Sequence, residues 1–232
     1  MNKTLEEIFG IKQDNTELFI HALTHPSYAQ ENNLTQNEHY ERLEFLGDAV
    51  LKYTISDILY KKYPDYAEGE LSKIRSIVVS DNILAKISAE LGLADLIILA
   101  KHEEKQGCRK LASIRACSFE ALLGAYHLDG KIPELFKFIE KTFTPYIEEI
   151  NNSPKKYNAK AALQEYTQGL TKERPEYRTI GTQGPEHNKI FNIEVRYQGK
   201  VIGEGHGRTK KDAEQMAAFN ACKKLGVMEC QE

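Results

Sequence analysis

Residues 41–51 read ERLEFLGDAVL, a stretch in which three carboxylates are set into a strongly apolar segment. Each residue of a helix turns by about 100°, so Glu41, Glu44 and Asp48 fall within a wedge of about 60°. Leu43 and Val50 fall on the opposite side of the same helix. This pattern is typical of a helix that holds oxygen ligands for a hard divalent cation, and also of an amphipathic helix with a solvated acidic face. The spacing alone leaves both interpretations open.

The composition around this stretch is that of an ordinary globular protein. Of 232 residues, 41% are hydrophobic and 28% are charged, which suits one or two domains with a real core. No apolar run approaches the ~20 residues that span a bilayer, and the N-terminus lacks the layout of a secretory signal. We therefore expect no membrane partner and a cytoplasmic location.

Charge is divided unevenly along the chain. Residues 1–150 hold 17 Lys and Arg against 24 Asp and Glu, whereas residues 151–232 hold 14 against 10. An acidic first part joined to a basic second part suggests that the two parts have different functions. The basic part is the better candidate for binding a polyanion.

The four cysteines are Cys108, Cys117, Cys222 and Cys230. None forms a C-x-x-C pair, so the sequence does not indicate a zinc site. In a cytosolic protein we expect all four to be free thiols.

The apolar periodicity divides the chain into two parts. Residues 1–150 are predicted to be helical, with a long helix over about 38–60 and a short one between Pro133 and Pro145. Residues 151–157 are polar, contain a proline and are predicted to be a linker. Residues 158–228 show the order helix, three strands, helix, with a tight turn at residues 198–199. The predicted fold class is an all-α N-terminal domain followed by a small α+β domain of order α-β-β-β-α.

Residues 41–49 resemble the signature motif of the ribonuclease III family, E-R-L-E-F-L-G-D-A, without a break. A second family segment, D-x-x-E-A-L-x-G-A, is similar to residues 117–125, which read CSFEALLGA. The resemblance implies that residues 1–150 form a ribonuclease III catalytic domain. It also implies cleavage of double-stranded RNA by metal-dependent phosphodiester hydrolysis, leaving 5′-phosphate and 3′-hydroxyl ends.

The same resemblance implies roles for individual side chains. Glu44, Asp48 and Glu120 would hold the metal, and Asp48, Glu120 and the accessory acid Glu41 would form the catalytic set. Mg²⁺ is the implied cofactor, and Mn²⁺ is a possible substitute. No Ser, His or Cys nucleophile is required, because metal-bound water attacks the phosphate in such hydrolases.

Cys117 departs from the family pattern, since it stands where an aspartate is expected. No acidic residue occurs anywhere in residues 105–119, so a shift of register does not restore one. A neutral thiol is a poor partner for Mg²⁺, which prefers oxygen ligands. Metal binding should then weaken, or the preference should move towards Mn²⁺. The alternative is that Cys117 is a small, half-buried helix residue without chemical consequence.

Phe45 falls about 40° from Glu41, beside the acidic wedge rather than on the leucine face. By the resemblance it is an aromatic knob that inserts into the partner subunit of a homodimer. The alternative is a buried residue in the core of its own chain. A two-fold dimer would place two catalytic sites across one minor groove of the RNA.

Residues 158–228 resemble a double-stranded RNA-binding domain in three regions, 160–168 (KAALQEYTQ), 184–191 (GPEHNKIF) and 207–218 (GRTKKDAEQMAA). Lysines at a helix N-terminus suit a phosphate, and polar side chains can reach 2′-hydroxyls in a shallow minor groove. For the lysines and the histidine, the alternative is that they are ordinary exposed side chains. The implied RNA-binding residues are Gln164, Glu165, Gln168, His187, Lys189, Lys210 and Lys211.

The leading functional hypothesis is a homodimeric, Mg²⁺-dependent endoribonuclease specific for double-stranded RNA, acting in the processing and decay of ribosomal and messenger RNA precursors. A second hypothesis, motivated by Cys117, is a double-stranded RNA-binding protein with a weak or silent nuclease site. A structural subunit of a ribonucleoprotein has only the fold to support it. Retention of Glu41, Glu44, Asp48 and Glu120 together favours the enzyme.

Overall fold

The computed structural model describes residues 4–152, 159–183, 189–207 and 209–227. The backbone divides into two compact units, Met1–Asn151 and Asn152–Glu232. The first unit is helical, and the second combines two helices with one sheet, which confirms the predicted fold class. Within the described residues, no helix has both the length and the apolarity needed to cross a bilayer.

The helices of the first unit follow the predicted periodicity. They are α1 (Leu5–Phe9), α2 (Thr16–Leu23), α3 (Pro26–Glu31), α4 (Glu41–Lys62), α5 (Glu68–Val78), α6 (Asp81–Leu91), α7 (Lys101–Lys105), α8 (Ala112–Leu128) and α9 (Ile132–Asn152). Short 3₁₀ turns at Leu93–Leu96 and Cys108–Lys110 join α6 to α7 and α7 to α8.

Helix α8 lies at the centre of this unit. Ten of its 17 residues are buried, which explains why its sequence is apolar all round rather than striped. Helices α4, α6 and α2 pack against it, and α4 makes the most extensive contact. The ring of Tyr126 in α8 packs against Phe9 and Phe19, with centroid distances of 4.8 and 4.6 Å.

The apolar periodicity predicts that helix α4 begins near residue 38. In the structure it begins at Glu41. Residues 35–38 form a separate turn, in which the Glu38 carboxylate accepts hydrogen bonds from the Thr35 amide (2.8 Å) and hydroxyl (2.7 Å). The Glu38 amide donates back to the Thr35 carbonyl at 3.0 Å. This local turn ends before the helix starts, and it leaves the acidic residues of the opening stretch in the first two turns of α4.

The prediction of a short helix between Pro133 and Pro145 was wrong. Helix α9 runs from Ile132 to Asn152 with Pro145 inside it. A proline in a helix interior removes one backbone hydrogen bond. The buried apolar face continues past it through Tyr146, Ile147 and Ile150, and this packing outweighs the lost bond. The first two residues of the predicted linker, 151 and 152, are therefore helical, and the others lie outside the described residues.

The second unit has the predicted order of elements. Its elements are α10 (Ala159–Thr171), β1 (Glu176–Gln183), β2 (Ile190–Tyr197), β3 (Lys200–Gly207) and α11 (Lys210–Lys224). The strands form an antiparallel sheet in the order β1-β2-β3. Gln198 and Gly199 both have positive φ, 49° and 73°, as the two-residue hairpin turn between β2 and β3 requires.

Both helices of this unit pack together against the sheet. Leu163 of α10, Ile193 and Val195 of β2, and the alanines of α11 form one buried core. Lys160 ties the two helices, since its ammonium group pairs with the Glu214 carboxylate at 2.5 Å. Close approach of α11 to β3 depends on Gly203, Gly205 and Gly207, where an added Cβ would meet helix atoms at 2.2–2.7 Å.

Candidate functional site

The predicted catalytic carboxylates are brought together by a crossing of α4 and α8 at two glycines. A Cβ on Gly47 would lie 1.7 Å from the main-chain oxygen of Glu120, and a Cβ on Gly124 would lie 2.3 Å from that of Leu43. The two backbones therefore touch directly. Glu44 and Asp48, one turn apart on α4 and flanking Gly47, are held against Glu120 on α8.

These side chains line an open cleft of about 730 Å³. All four acids that the sequence analysis named, Glu41, Glu44, Asp48 and Glu120, lie in its wall. The complete lining is Glu41, Glu44, Phe45, Asp48, Lys52, Ser76, Val79, Asp81 and Glu120. The acidic wedge of α4 is therefore part of a concave site and not only a solvated helix face.

Helix α5 and the start of α6 form the remaining wall of the cleft. The Arg75 guanidinium donates to the Ser56 hydroxyl at 2.8 Å and so ties α5 to α4. Ser76 and Val79 reach the cleft from this side, and Asp81 reaches it from the first position of α6.

Two charged residues of the cleft were missed by the sequence analysis. Lys52 could have been found, because it lies four residues after Asp48 and therefore on the same face of α4. Asp81 carried no such signal, since it comes from a separate helix and only the packing of α6 on α8 brings it to the site.

Crowding of like charges changes the protonation of the cleft. Burial, followed by the charges of Asp48 and Glu44, raises the pKa of Glu120 to about 8. The pKa of Glu44 is also raised, mainly by burial. Without a cation in the cleft, Glu120 therefore carries a proton at neutral pH.

Lys52 partly neutralises the cleft from within the chain. Its ammonium group lies 2.7 Å from the Asp48 carboxylate, in an ion pair between side chains that are 52% and 36% exposed. The same positive charge works against the rise in the pKa of Glu120. Pairs at this degree of exposure contribute little to stability, so the effect of Lys52 is on the electrostatics of the site.

Cys117 contacts the site through Glu44. Burial, followed by the influence of the Glu44 carboxylate, raises the pKa of the thiol well above its usual range. At neutral pH Cys117 is consequently a neutral thiol and not a thiolate. Cys117 therefore lacks the oxygen ligand that the family pattern expects. It nevertheless lies close enough to Glu44 for the two groups to influence each other's pKa.

The donor set of the cleft consists of carboxylates, which suit a hard divalent cation. Glu44, Asp48 and Glu120 offer carboxylate oxygens, which Mg²⁺ prefers, and Mg²⁺ commonly binds through one or two carboxylates while keeping several waters. No three His, Cys, Asp or Glu side chains in the described residues are placed to hold a metal directly. The arrangement therefore fits a cation bound partly through water.

Phe45 lies at the rim of the cleft and is 81% exposed. This exposure excludes the alternative that Phe45 is a buried residue of its own core. The ring is therefore accessible to a partner molecule.

Three of the predicted RNA-binding residues, Gln164, Glu165 and Gln168, lie on α10. Glu165 is exposed, and Gln164 and Gln168 are half-buried. The Gln164 amide donates to the Gln168 side-chain oxygen at 3.3 Å, which holds the two side chains together. His187 lies outside the described residues, and Lys189 immediately precedes β2.

Lys210 and Lys211 are the first two residues of α11 and are exposed. The Thr209 hydroxyl caps this helix by accepting from the Asp212 amide at 3.1 Å. This cap leaves the amides of the two lysines available, next to two ammonium groups and the positive end of the helix dipole. The arrangement suits a phosphate oxygen.

Comparisons with known proteins match the two units of the chain to two different families. A family described as Ribonuclease-III-like matches residues 15–147, and one described as Double-stranded RNA binding motif matches residues 159–225. Proteins named Ribonuclease 3 from Staphylococcus aureus strains JH9 and Newman are each 39% identical to this chain over 216 residues, covering 93% of it and 88% of the relative.

Solved structures give the same result for the helical unit. A nuclease domain of ribonuclease III from Campylobacter jejuni, described for flexibility in a region involved in dimer formation, has 37% identity and a TM-score of 0.54. The alignment covers 60% of this chain and 96% of that domain. Together with the carboxylate cleft, these matches show that the chain belongs to the ribonuclease III family, the endoribonucleases that cleave double-stranded RNA.

Proposed function

We propose that this chain is a divalent-metal-dependent, homodimeric endoribonuclease in which the carboxylate cleft is the active site. The observation that carries the proposal is the convergence of Glu44, Asp48 and Glu120 across the α4–α8 crossing. Such a group of acids is destabilising without a cation, because burial and the charges of Asp48 and Glu44 raise the pKa of Glu120. A divalent cation would relieve this repulsion.

In the proposed mechanism Glu44, Asp48 and Glu120 bind Mg²⁺, and Mn²⁺ can substitute. When bound, Mg²⁺ would supply an activated water and stabilise charge on the phosphate oxygens. Glu120 must release its proton to take part, since its pKa of about 8 keeps it protonated at neutral pH. Glu41, nearly one turn before Glu44 on α4 and 63% exposed, would orient water or substrate at the rim. By analogy with the family, hydrolysis leaves 5′-phosphate and 3′-hydroxyl ends.

We assign RNA binding to the second unit. Lys210 and Lys211 would bind phosphates at the N-terminus of α11, while Gln164, Glu165 and Gln168 on α10 would reach 2′-hydroxyls in the minor groove. His187 and Lys189 complete the proposed set.

The homodimer is proposed from Phe45. Its 81% exposure beside the active site is best explained by insertion into a partner subunit. The Campylobacter jejuni nuclease domain, whose description names a dimer-forming region, supports this assignment. Two cleft sites related by a two-fold axis would cut the two strands of one duplex.

The proposed cellular role is the processing and decay of ribosomal and messenger RNA precursors in the cytoplasm. Cys108, Cys117 and Cys222 are free thiols, which is consistent with a reducing compartment.

The second candidate function, RNA binding without cleavage, is favoured by one observation, the thiol of Cys117 in place of a carboxylate. Against it stand the four predicted acids, all of which line the cleft.

Cleavage of a long, end-labelled RNA duplex across Mg²⁺ and Mn²⁺ titrations tests the proposal. We expect short products with 5′-phosphates, and we expect Glu120→Gln to abolish them while leaving duplex affinity intact. Glu134→Gln, which changes an exposed acid of α9, serves as the matched control. Tight binding without products at any metal concentration would establish the RNA-binding alternative.

A further inference from the structure

Helix α8 contributes fewer acids to the cleft than the family pattern requires. Glu120 is the only Asp or Glu in residues 112–128, because Cys117 stands one turn before it in place of an aspartate. The neutral Cys117 thiol does not add the negative charge or the oxygen ligand that an aspartate would provide.

Asp81 brings another carboxylate to the same cleft from a different helix. It is the first residue of α6, directly after the N-cap Ser80. Ile83, Leu84 and Ile87 are buried and fix α6 against α8, so the position of Asp81 is set by a rigid helix pair. Asp81 itself is exposed and makes no hydrogen bond or ion pair with the other described residues. Both of its oxygens are free to act in the cleft.

The charge of Asp81 acts on the groups that surround Cys117. It raises the pKa values of Glu44, of Glu120 and of the Cys117 thiol itself. Asp81 lines the same cleft as Glu44, Asp48 and Glu120. It therefore adds a carboxylate to the site in which α8 lacks one.

We propose that Asp81 supplies, from the start of α6, the carboxylate that α8 lacks at Cys117, and that it helps to hold the divalent cation through a bound water. The inference rests on the proposed function, because it concerns the same cleft. Asp81 would then be a positioning residue for the cation. The proposal predicts that an aspartate at position 117 of α8 can replace the contribution of Asp81 on α6.

The competing explanation for Asp81 is structural. An acid in the first turn of a helix stabilises that helix through its dipole. The two explanations differ in the absence of metal. If Asp81 only stabilises α6, Asp81→Asn lowers the melting temperature of the metal-free protein. If Asp81 belongs to the acidic cleft, the substitution relieves repulsion, and that melting temperature stays the same or rises.

The experiment is a Mn²⁺ titration by calorimetry on the full-length protein, combined with thermal melts with and without Mn²⁺. We expect Asp81→Asn to weaken Mn²⁺ binding about tenfold, as loss of an outer-sphere partner commonly does, and to reduce the metal-induced rise in melting temperature. Glu134→Gln, at the start of α9, is the matched control and should change neither quantity.

A double-substitution cycle tests the exchange of positions. In a Cys117→Asp background, Asp81→Asn should weaken Mn²⁺ binding less than threefold, because α8 then provides the acid. Cys117→Asn, which adds an oxygen without charge, replaces Cys117→Asp if that variant does not fold. Equal losses in both backgrounds, or Mn²⁺ affinity unchanged by Asp81→Asn, would overturn the inference about Asp81. A wild-type protein that binds no Mn²⁺ and does not cleave RNA would instead overturn the proposed function.

Discussion

Replacing Gly47 with alanine should force the two catalytic helices apart. The new Cβ atom would lie 1.7 Å from the main-chain oxygen of Glu120 and 2.9 Å from the amide nitrogen of Gly124. Ordinary contact begins at 3.4 Å, so the oxygen is too close by about 1.7 Å. Both obstructing atoms belong to the backbone of α8, and neither can rotate away. The helices must therefore separate or tilt at the point where the carboxylates meet.

The expected loss of stability follows from two opposing effects. Overfilling a packed interior typically costs about 1–3 kcal/mol, while alanine in a helix gains about 1 kcal/mol over glycine. Because the clash is with main-chain atoms, we place the packing cost at or above the top of that range. The net loss in the free energy of unfolding should be at least about 2 kcal/mol.

The expected loss of activity is larger than the loss of stability suggests. A displacement of about 1 Å in an active site can reduce the rate by about 10²-fold. Glu44 and Asp48 flank Gly47 and would move relative to Glu120 by an amount of this order. Cleavage should fall about 100-fold even at temperatures where Gly47→Ala remains folded.

Urea denaturation followed by circular dichroism measures the stability, and single-turnover cleavage of a duplex measures the activity. Gly69→Ala is the control, because Gly69 lies in α5 with nothing within 4 Å of its added Cβ. It should be neutral or slightly stabilising. Gly124→Ala, whose Cβ would lie 2.3 Å from the Leu43 oxygen, should behave like Gly47→Ala. If Gly47→Ala matched Gly69→Ala in both assays, the backbone contact would not be what positions the site.

Three further predictions follow from the charges and exposed groups. The folded state keeps a proton on Glu120 that the unfolded chain releases near pH 4.5, so the metal-free protein should lose stability as the pH rises from about 4.5 to about 8. Glu120→Gln should flatten that slope in thermal melts. Phe45→Ala should convert dimer to monomer in sedimentation and lower the melting temperature by removing the stabilisation that association provides, and an unchanged mass would exclude its dimer role. Lys210→Ala and Lys211→Ala should each weaken duplex binding and lower the salt slope by about one counterion, whereas Lys224→Ala, at the far end of α11, should do neither.

The acidic face of α4 could be predicted from the sequence because it depends on residues within two helical turns. Glu44 and Asp48 share that face by helix geometry alone. Their meeting with Glu120 is not local, since 72 residues separate Asp48 from Glu120, and only the resemblance to the family suggested it. Asp81 shows the limit most clearly. Its neighbours predict a helix start, but the direction of that helix is set by the packing of α6 on α8.

The boundaries that the sequence analysis missed have similar causes. Pro145 predicts a helix end because its local effect on a helix is unfavourable, yet the buried face of α9 runs past it. The predicted long helix starts at about Glu38, but the Glu38 carboxylate accepts hydrogen bonds from Thr35 in a separate turn. Tertiary packing decides the first case, and a competing side-chain hydrogen bond decides the second.

The glycines of β3 have a consequence for how this chain can vary over generations. Gly203, Gly205 and Gly207 face backbone and alanine atoms of α11 at 2.2–2.7 Å from where a Cβ would stand. No amino acid is smaller than glycine, so every inherited change that replaces one of these glycines adds atoms to a contact without room. Any substitution on this face of β3 therefore increases the size of the side chain, and that increase is unfavourable. In a saturation library, these three positions should therefore be as intolerant as active-site acids while taking no part in chemistry.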